Sequence, residues 1–260
     1  MMIKKIAFLL LIASALGSCV SKKKIVYMQN ISTILPSEKI SYEPSIKPDD
    51  LLVINIFSPT PEAVVRFNLL TTQTSQSANV TTGSGSVQDP VFYSYLVDVN
   101  GNIHFPIIGD IKVGGLTKTQ ALDKLNTELR EYITDPITTI RITNFKVSVL
   151  GEVNSPGEIT VVTERITLPE VLSKAGDLTI YGKRDNVLII REANGQKTFN
   201  YVDLTKADFV NSPFYYLTQN DLVIVEPNKT RVNSAVIGPN TGVIFSAISI
   251  LLTVVALLIK

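Results

Sequence analysis

From Val232 to Ile259 the chain carries no charged residue, and from Val243 onward that stretch is almost wholly apolar. The 17 residues from Val243 to Ile259 would rise about 25 Å as a helix at 1.5 Å per residue. That is the lower limit for crossing a bilayer, and the bacterial outer membrane is thinner than average. Pro239-Asn240-Thr241-Gly242 punctuates the start, with Asn240 or Thr241 placed to cap. The pattern predicts a C-terminal outer-membrane helix over residues 243–260, entered through a linker at 228–242. Gly242, Ser246, Ser249, Thr253 and Ala256 recur at helical spacing and so share one face, continued by Lys260. Two readings of this stripe stay open. Small residues permit close packing between membrane helices, with hydroxyls bonded to the preceding turn; alternatively the stripe faces water. Both predict self-association, because one helix encloses no channel.

The other end reads as an address. Met1-Met2-Ile3-Lys4-Lys5 is a positive segment, and Ile6 to Ala13 is apolar but too short to span. Leu16-Gly17-Ser18 then precedes Cys19, the only cysteine. A lone cysteine forms no internal disulfide, and this setting resembles the bacterial lipobox, whose cysteine is acylated after cleavage. Residues 1–18 are therefore expected to be a lipoprotein signal peptide, and Cys19 the lipidation site. In lipoproteins of that type an aspartate after the cysteine retains the protein at the inner membrane. Val20 stands there instead, which implies the outer membrane. Lys22-Lys23-Lys24 follows and reads as a solvated tether rather than a headgroup-binding run.

Between the ends, residues 19–45 form a lead-in without periodicity. Leu51 to Phe57 predicts a strand, and residues 71–88, rich in Ser, Thr, Gln and Gly, a flexible insertion. Gly83-Ser84-Gly85-Ser86 has no following Lys or strand-to-helix setting and is no phosphate loop. Asn100-Gly101 predicts a hairpin between Tyr93–Val99 and Ile103–Ile108, both turn positions at positive φ. Thr117 with Gln120, and Thr167 with Glu170, are capping boxes opening two helices. Leu122, Leu125 and Leu129 stripe the first helix; Leu168, Val171, Leu172 and Ala175 stripe the second, which Gly176 stops. Strands are expected over Ile137–Thr143, Lys146–Leu150, either side of Asn194-Gly195, and Asp221–Val225. A strand, hairpin, short helix and returning strands describe a β-grasp-like module, so the fold class is α+β.

Asp50-Leu51-Leu52-Val53-Ile54, Val99-Asn100-Gly101-Asn102-Ile103, Phe105 to Gly109 and Val113 to Thr117 resemble the polysaccharide export domain of capsule-export outer-membrane lipoproteins. Gly151-Glu152-Val153 with Pro156-Gly157, the Val171–Ala175 helix, Arg191 and the Asp221 strand resemble the soluble-ligand-binding β-grasp (SLBB) domain that follows it there. The resemblance covers about residues 46 to 227. It implies an export domain over 46–144, an SLBB-like domain over 145–227, and a ring-shaped homo-oligomer passing capsular or exopolysaccharide. An inner-membrane polysaccharide co-polymerase is the implied partner, and the soluble domains are expected in the periplasm. Asp49 and Asn220 stand where the family has glycine; both residue types tolerate the left-handed region. Only one β-grasp module is evident.

Little points to an enzyme. With one histidine, His104, and a cysteine assigned to lipid, no His/Cys metal cluster or Cys–His pair can form. His104 is expected half-buried in a strand. Asp98 and Asp110 flank the predicted hairpin, and Glu152 and Glu158 flank the Pro-Gly turn; all four read as turn or solvated-face residues. The net charge of +1 offers no footprint for nucleic acid, and no cofactor is implied. A different class of function also fits this pattern: a non-transporting envelope lipoprotein that binds glycan or scaffolds a complex.

Overall fold

The computed structural model describes residues 24–33, 43–68, 93–193, 195–236 and 241–258. Cys19, the signal segment, the insertion at 71–88, Asn194 and Lys260 lie outside the described residues. The chain builds two apolar cores in sequence order, with Ile142 packed against both.

The first body is organised by β1 (Leu51–Phe57), whose alternation turns Leu52, Ile54 and Ile56 inward. A one-turn helix α1 (Pro61–Val64) follows. β2 (Tyr95–Leu96) and β5 (Ile137–Ile142) pair antiparallel on either side of β1, giving the order β2-β1-β5. β3 (Asn102–Phe105) and β4 (Gly109–Lys112) form a separate ribbon. Helix α2 (Lys118–Leu129) starts at the expected box: Thr117 accepts from the Gln120 N–H, and Gln120 returns the bond to the Thr117 N–H. Its buried face is Ala121, Leu125 and Leu129, with Leu122 only partly covered.

The Asn100-Gly101 turn is present, but its strands pair elsewhere. The Gly101 N–H reaches the Asp98 carbonyl at 2.8 Å, yet β2 joins β1 and β3 joins β4. Only Gly101 of the two has positive φ, so the turn is not the mirror-image type that would lock both flanks into one hairpin. Gly101 is also held by space, since a Cβ there would meet the Gly114 backbone at 2.9 Å.

The second body carries β6 (Lys146–Gly151), β7 (Gly157–Thr160), β9 (Gly182–Ala193), β10 (Gln196–Val202) and β12 (Leu222–Pro227) in the order β10-β9-β12-β6-β7. The β12–β6 pair is parallel and the others antiparallel. A parallel pair needs a long crossover. It is supplied here by everything from β7 to β11, including the two-strand ribbon of β8 (Ile166–Thr167) and β11 (Tyr216–Leu217). Helix α3 (Leu168–Lys174) opens on the Thr167–Glu170 box and buries Leu168, Val171 and Leu172 on the sheet. Gly176 (φ 74°) turns the chain away from it. Gly151 (φ 96°) permits the closest approach in the sheet: a Cβ would lie 2.0 Å from the Val225 carbonyl oxygen.

The lead-in behaves unlike a free tether. Met28 and Gln29 donate to the carbonyls of Leu204 and Thr205 at 3.2 and 2.8 Å, and the Tyr27 hydroxyl donates to Asp177 at 2.5 Å. The Tyr27 ring lies under the Arg184 guanidinium. Burial and the Asp177 carboxylate push the Tyr27 phenol well above its ordinary range. The segment preceding the first body is thus strapped onto the second.

The fold is α+β with several sheets, and here one expectation is corrected: a C-terminal helix long and apolar enough to cross the membrane is not found among the described residues. Two helices follow β12, α4 (Lys229–Val236) and α5 (Thr241–Leu258). Among the described residues no helix is long and apolar enough to cross a membrane. The 18 residues of α5 rise about 27 Å, at the lower end of the range for a span, and Gly242, Ser246, Ser249 and Thr253 interrupt its apolar surface.

Candidate functional site

The two bodies meet at a pair of matching turns. Each begins with a residue whose carbonyl accepts from the N–H three positions on: Asp50 to Lys47 at 3.2 Å, Asp221 to Thr218 at 3.1 Å. Each has a non-glycine residue at positive φ in third place, Asp49 at 68° and Asn220 at 63°, as a type II turn requires. Each ends on an aspartate only 1 % exposed that leads into a strand, β1 or β12. The glycine substitutes thus adopt the left-handed backbone the sequence required of them.

Side chains then tie the turns together. Asn144, on the short connection from β5 to β6, accepts from the Leu51 N–H at 2.9 Å and donates to the Asp49 carbonyl at 2.8 Å. Gln219 donates to the Asn144 carbonyl and accepts from the Lys146 N–H, both at 2.8 Å. Lys47 reaches across, its ammonium donating to the Glu192 carbonyl (3.3 Å), the Thr218 hydroxyl (3.2 Å) and the Gln219 carbonyl (3.4 Å). Burial holds the Lys47 ammonium below its usual range. Beside this joint opens a cleft of about 690 Å³. Lys47, Lys118, Arg141 and Arg165 line it with Glu43, Asp50 and Glu164, over apolar walls from Ile142, Phe145 and Val162. Lys118 pairs with Glu164 across it, and Arg141 donates to the Val162 carbonyl at 2.9 Å.

The two aspartates differ in their partners. Asp221 receives the Thr218 N–H (2.8 Å) and hydroxyl (2.9 Å), and the Arg191 guanidinium at 2.7 to 3.1 Å. Arg191 also donates to the Tyr216 carbonyl at 2.9 Å and lies over the Phe214 ring. Asp50 receives the Lys47 N–H on Oδ2 at 2.8 Å, and its buried Oδ1 has no partner among the described residues. Burial raises the Asp50 carboxyl to about 6, against the weaker pull of Lys47.

The carboxylates weighed from the sequence are dispersed. Asp110 pairs with His104 at 2.9 Å, and that histidine side chain is 86 % exposed rather than half-buried, because its strand belongs to a two-stranded ribbon with one open face. Asp98 accepts from the Asn102 N–H at 2.7 Å. Glu158 pairs with Lys146, and Glu152 with Arg231. In the stripe on α5, Ser246 and Thr253 donate to the carbonyls of Gly242 and Ser249 at 2.7 and 2.8 Å; the side chain of Ala256 lies outside the described residues. Sequence reading missed Lys47, Asn144 and Gln219. The available signal was the repeated pattern of a short turn, an aspartate and an apolar strand at Asp50 and Asp221.

Two small α+β bodies are thus clasped through matched turns. Residues 38–143 match the family described as polysaccharide biosynthesis/export protein. The chain is similar to the EPS I polysaccharide export outer membrane protein EpsA of Ralstonia solanacearum, 29 % identical over 153 residues, or 56 % of this chain and 40 % of the relative. The protein of the same name from Ralstonia nicotianae is 30 % identical over 159 residues, covering 58 % and 41 %. The match thus spans about two fifths of the relatives' own length.

Proposed function

We propose that this protein is a component of exopolysaccharide export at the bacterial outer membrane, acting as a conduit or its structural part and not as an enzyme. The observation that carries the reading is the family match of residues 38–143, reinforced by relatives named as export proteins of the outer membrane. The scattered, individually partnered carboxylates fit the same view, since acid–base chemistry requires groups converging within reach of one substrate atom. The second body is read as an SLBB-like β-grasp domain, and Cys19 as a lipid anchor that keeps both bodies on the periplasmic side.

On this reading several copies form a ring around the polymer, docked on an inner-membrane co-polymerase. The stripe Gly242, Ser246, Ser249, Thr253 and Ala256 then serves as a packing surface between helices of neighbouring copies. The Ser246 and Thr253 bonds to the preceding turn favour this over a water-facing role. A polymer path must bind weakly at many places, because a tight site stalls transport.

Deleting the gene in its native host and assaying surface polysaccharide tests the reading. Loss of surface polymer with polymer retained inside the envelope is expected, restored by the full-length chain. Unchanged surface polymer would leave the scaffold reading. Native mass measurement in detergent tests the ring separately.

A further inference from the structure

The twin turns expose a shortage at the joint. In the second turn the first residue is Thr218, whose hydroxyl satisfies Asp221 Oδ1 at 2.9 Å. In the first turn the equivalent residue is Lys47, whose ammonium is spent on Thr218, Gln219 and Glu192 of the other body. Among the described residues Asp50 Oδ1 has no partner, on a residue 1 % exposed. One ammonium therefore has two claimants, and it can serve only one fully. A buried carboxyl without a donor is far cheaper neutral than ionised.

We propose that Lys47 is a proton-controlled hook between the two bodies: while Asp50 is protonated the ammonium holds the second body, and when Asp50 ionises it is drawn back to Asp50. The joint is then tight in mild acid and loosened above neutrality. The charges around Asp50 support such a response. Lys47 favours its ionised form and the adjacent Asp49 opposes it. Asp221, Arg191 and Glu192 act on Lys47 from the second body, while Lys118, Arg141, Arg165, Glu43 and Glu164 line the same cleft. A titration near 6 places the switch where modest acidification would operate it. Loss of three ammonium bonds releases the turn at residues 218–221 but leaves Asn144 and Gln219 to keep the bodies connected. The device is independent of what the chain transports.

Hydrogen-exchange mass spectrometry on the full-length protein, at pH 5 and pH 7.5 with intrinsic rates corrected, reads the joint directly. Protection of peptides covering residues 216–222 is expected to fall about tenfold or more between the two conditions in the wild type, the scale of one lost charge-assisted hydrogen bond. Asp50→Asn, which cannot ionise, should keep the pH 5 level at both. Lys47→Met should show the low level at both, and peptides from α3 should stay unchanged in every case. Equal wild-type protection at the two pH values overturns the proposal. So does an Asp50→Asn variant that follows the wild-type profile.

Discussion

Arg191→Met is expected to cost the second body about 3 kcal/mol, and the structure supplies the terms. The Asp221 side chain is completely covered and that of Arg191 is 14 % exposed. The guanidinium contacts both carboxylate oxygens, between 2.7 and 3.1 Å, and also holds the Tyr216 carbonyl at 2.9 Å. Methionine keeps much of the apolar stem but leaves the carboxylate without its countercharge. Removing one partner of a buried ion pair costs about 3–5 kcal/mol. Asp221 retains the two Thr218 bonds, so the lower end applies, roughly a hundredfold in the unfolding constant. Urea unfolding followed by far-ultraviolet circular dichroism at pH 7 measures it. Arg191→Met/Asp221→Asn, which removes the stranded charge, should be less destabilised than Arg191→Met alone. A loss below about 1 kcal/mol for the single variant, or a double variant no better than the single, would refute the assignment of the pair as the organiser of this turn.

Other outcomes follow from the same geometry. Because the folded-state Asp50 carboxyl is raised from 3.8 to about 6, the folded form binds the extra proton and wild-type stability should decline as pH rises from about 4 to 6, then level off. The stability of Asp50→Asn relative to wild type should accordingly gain about 2 kcal/mol between pH 4 and 7.5, measured by urea midpoints across that range; a constant difference would contradict a buried, raised carboxyl. Gly151→Ala should lose at least 3 kcal/mol or fail to fold, since its Cβ would meet the Val225 carbonyl at 2.0 Å at a φ of 96°; thermal denaturation checks it. Thr167→Ala removes the cap of α3 and should cost about 1 kcal/mol in the same assay. Cys19→Ser should abolish acyl labelling and release the protein from the membrane fraction, whereas persistent labelling would disprove Cys19 as the anchor.

The sequence by itself determined the local pieces. Both helix starts were legible because a capping box is satisfied within four residues, and β1 because its alternation reports a half-buried strand. The left-handed backbone at Asp49 and Asn220 was implied by the resemblance, which has glycine at both places, and both residue types tolerate it. The pairing of strands was not, since Tyr95 and Leu96 could complete a hairpin or join β1, and only packing against the core chooses. The terminal helix was a marginal case from the start: its 17-residue apolar stretch sits at the lower limit of a span, where composition over a window does not decide, and among the described residues no helix is long and apolar enough to cross a membrane. The joint was invisible for the plainest cause. Lys47 and Gln219 are 172 residues apart, and no local rule says that a lysine beside a proline will spend its charge on a turn in another body. Tertiary structure alone brought the two aspartates to one place, gave both oxygens of Asp221 partners, and left Asp50 Oδ1 without one among the described residues.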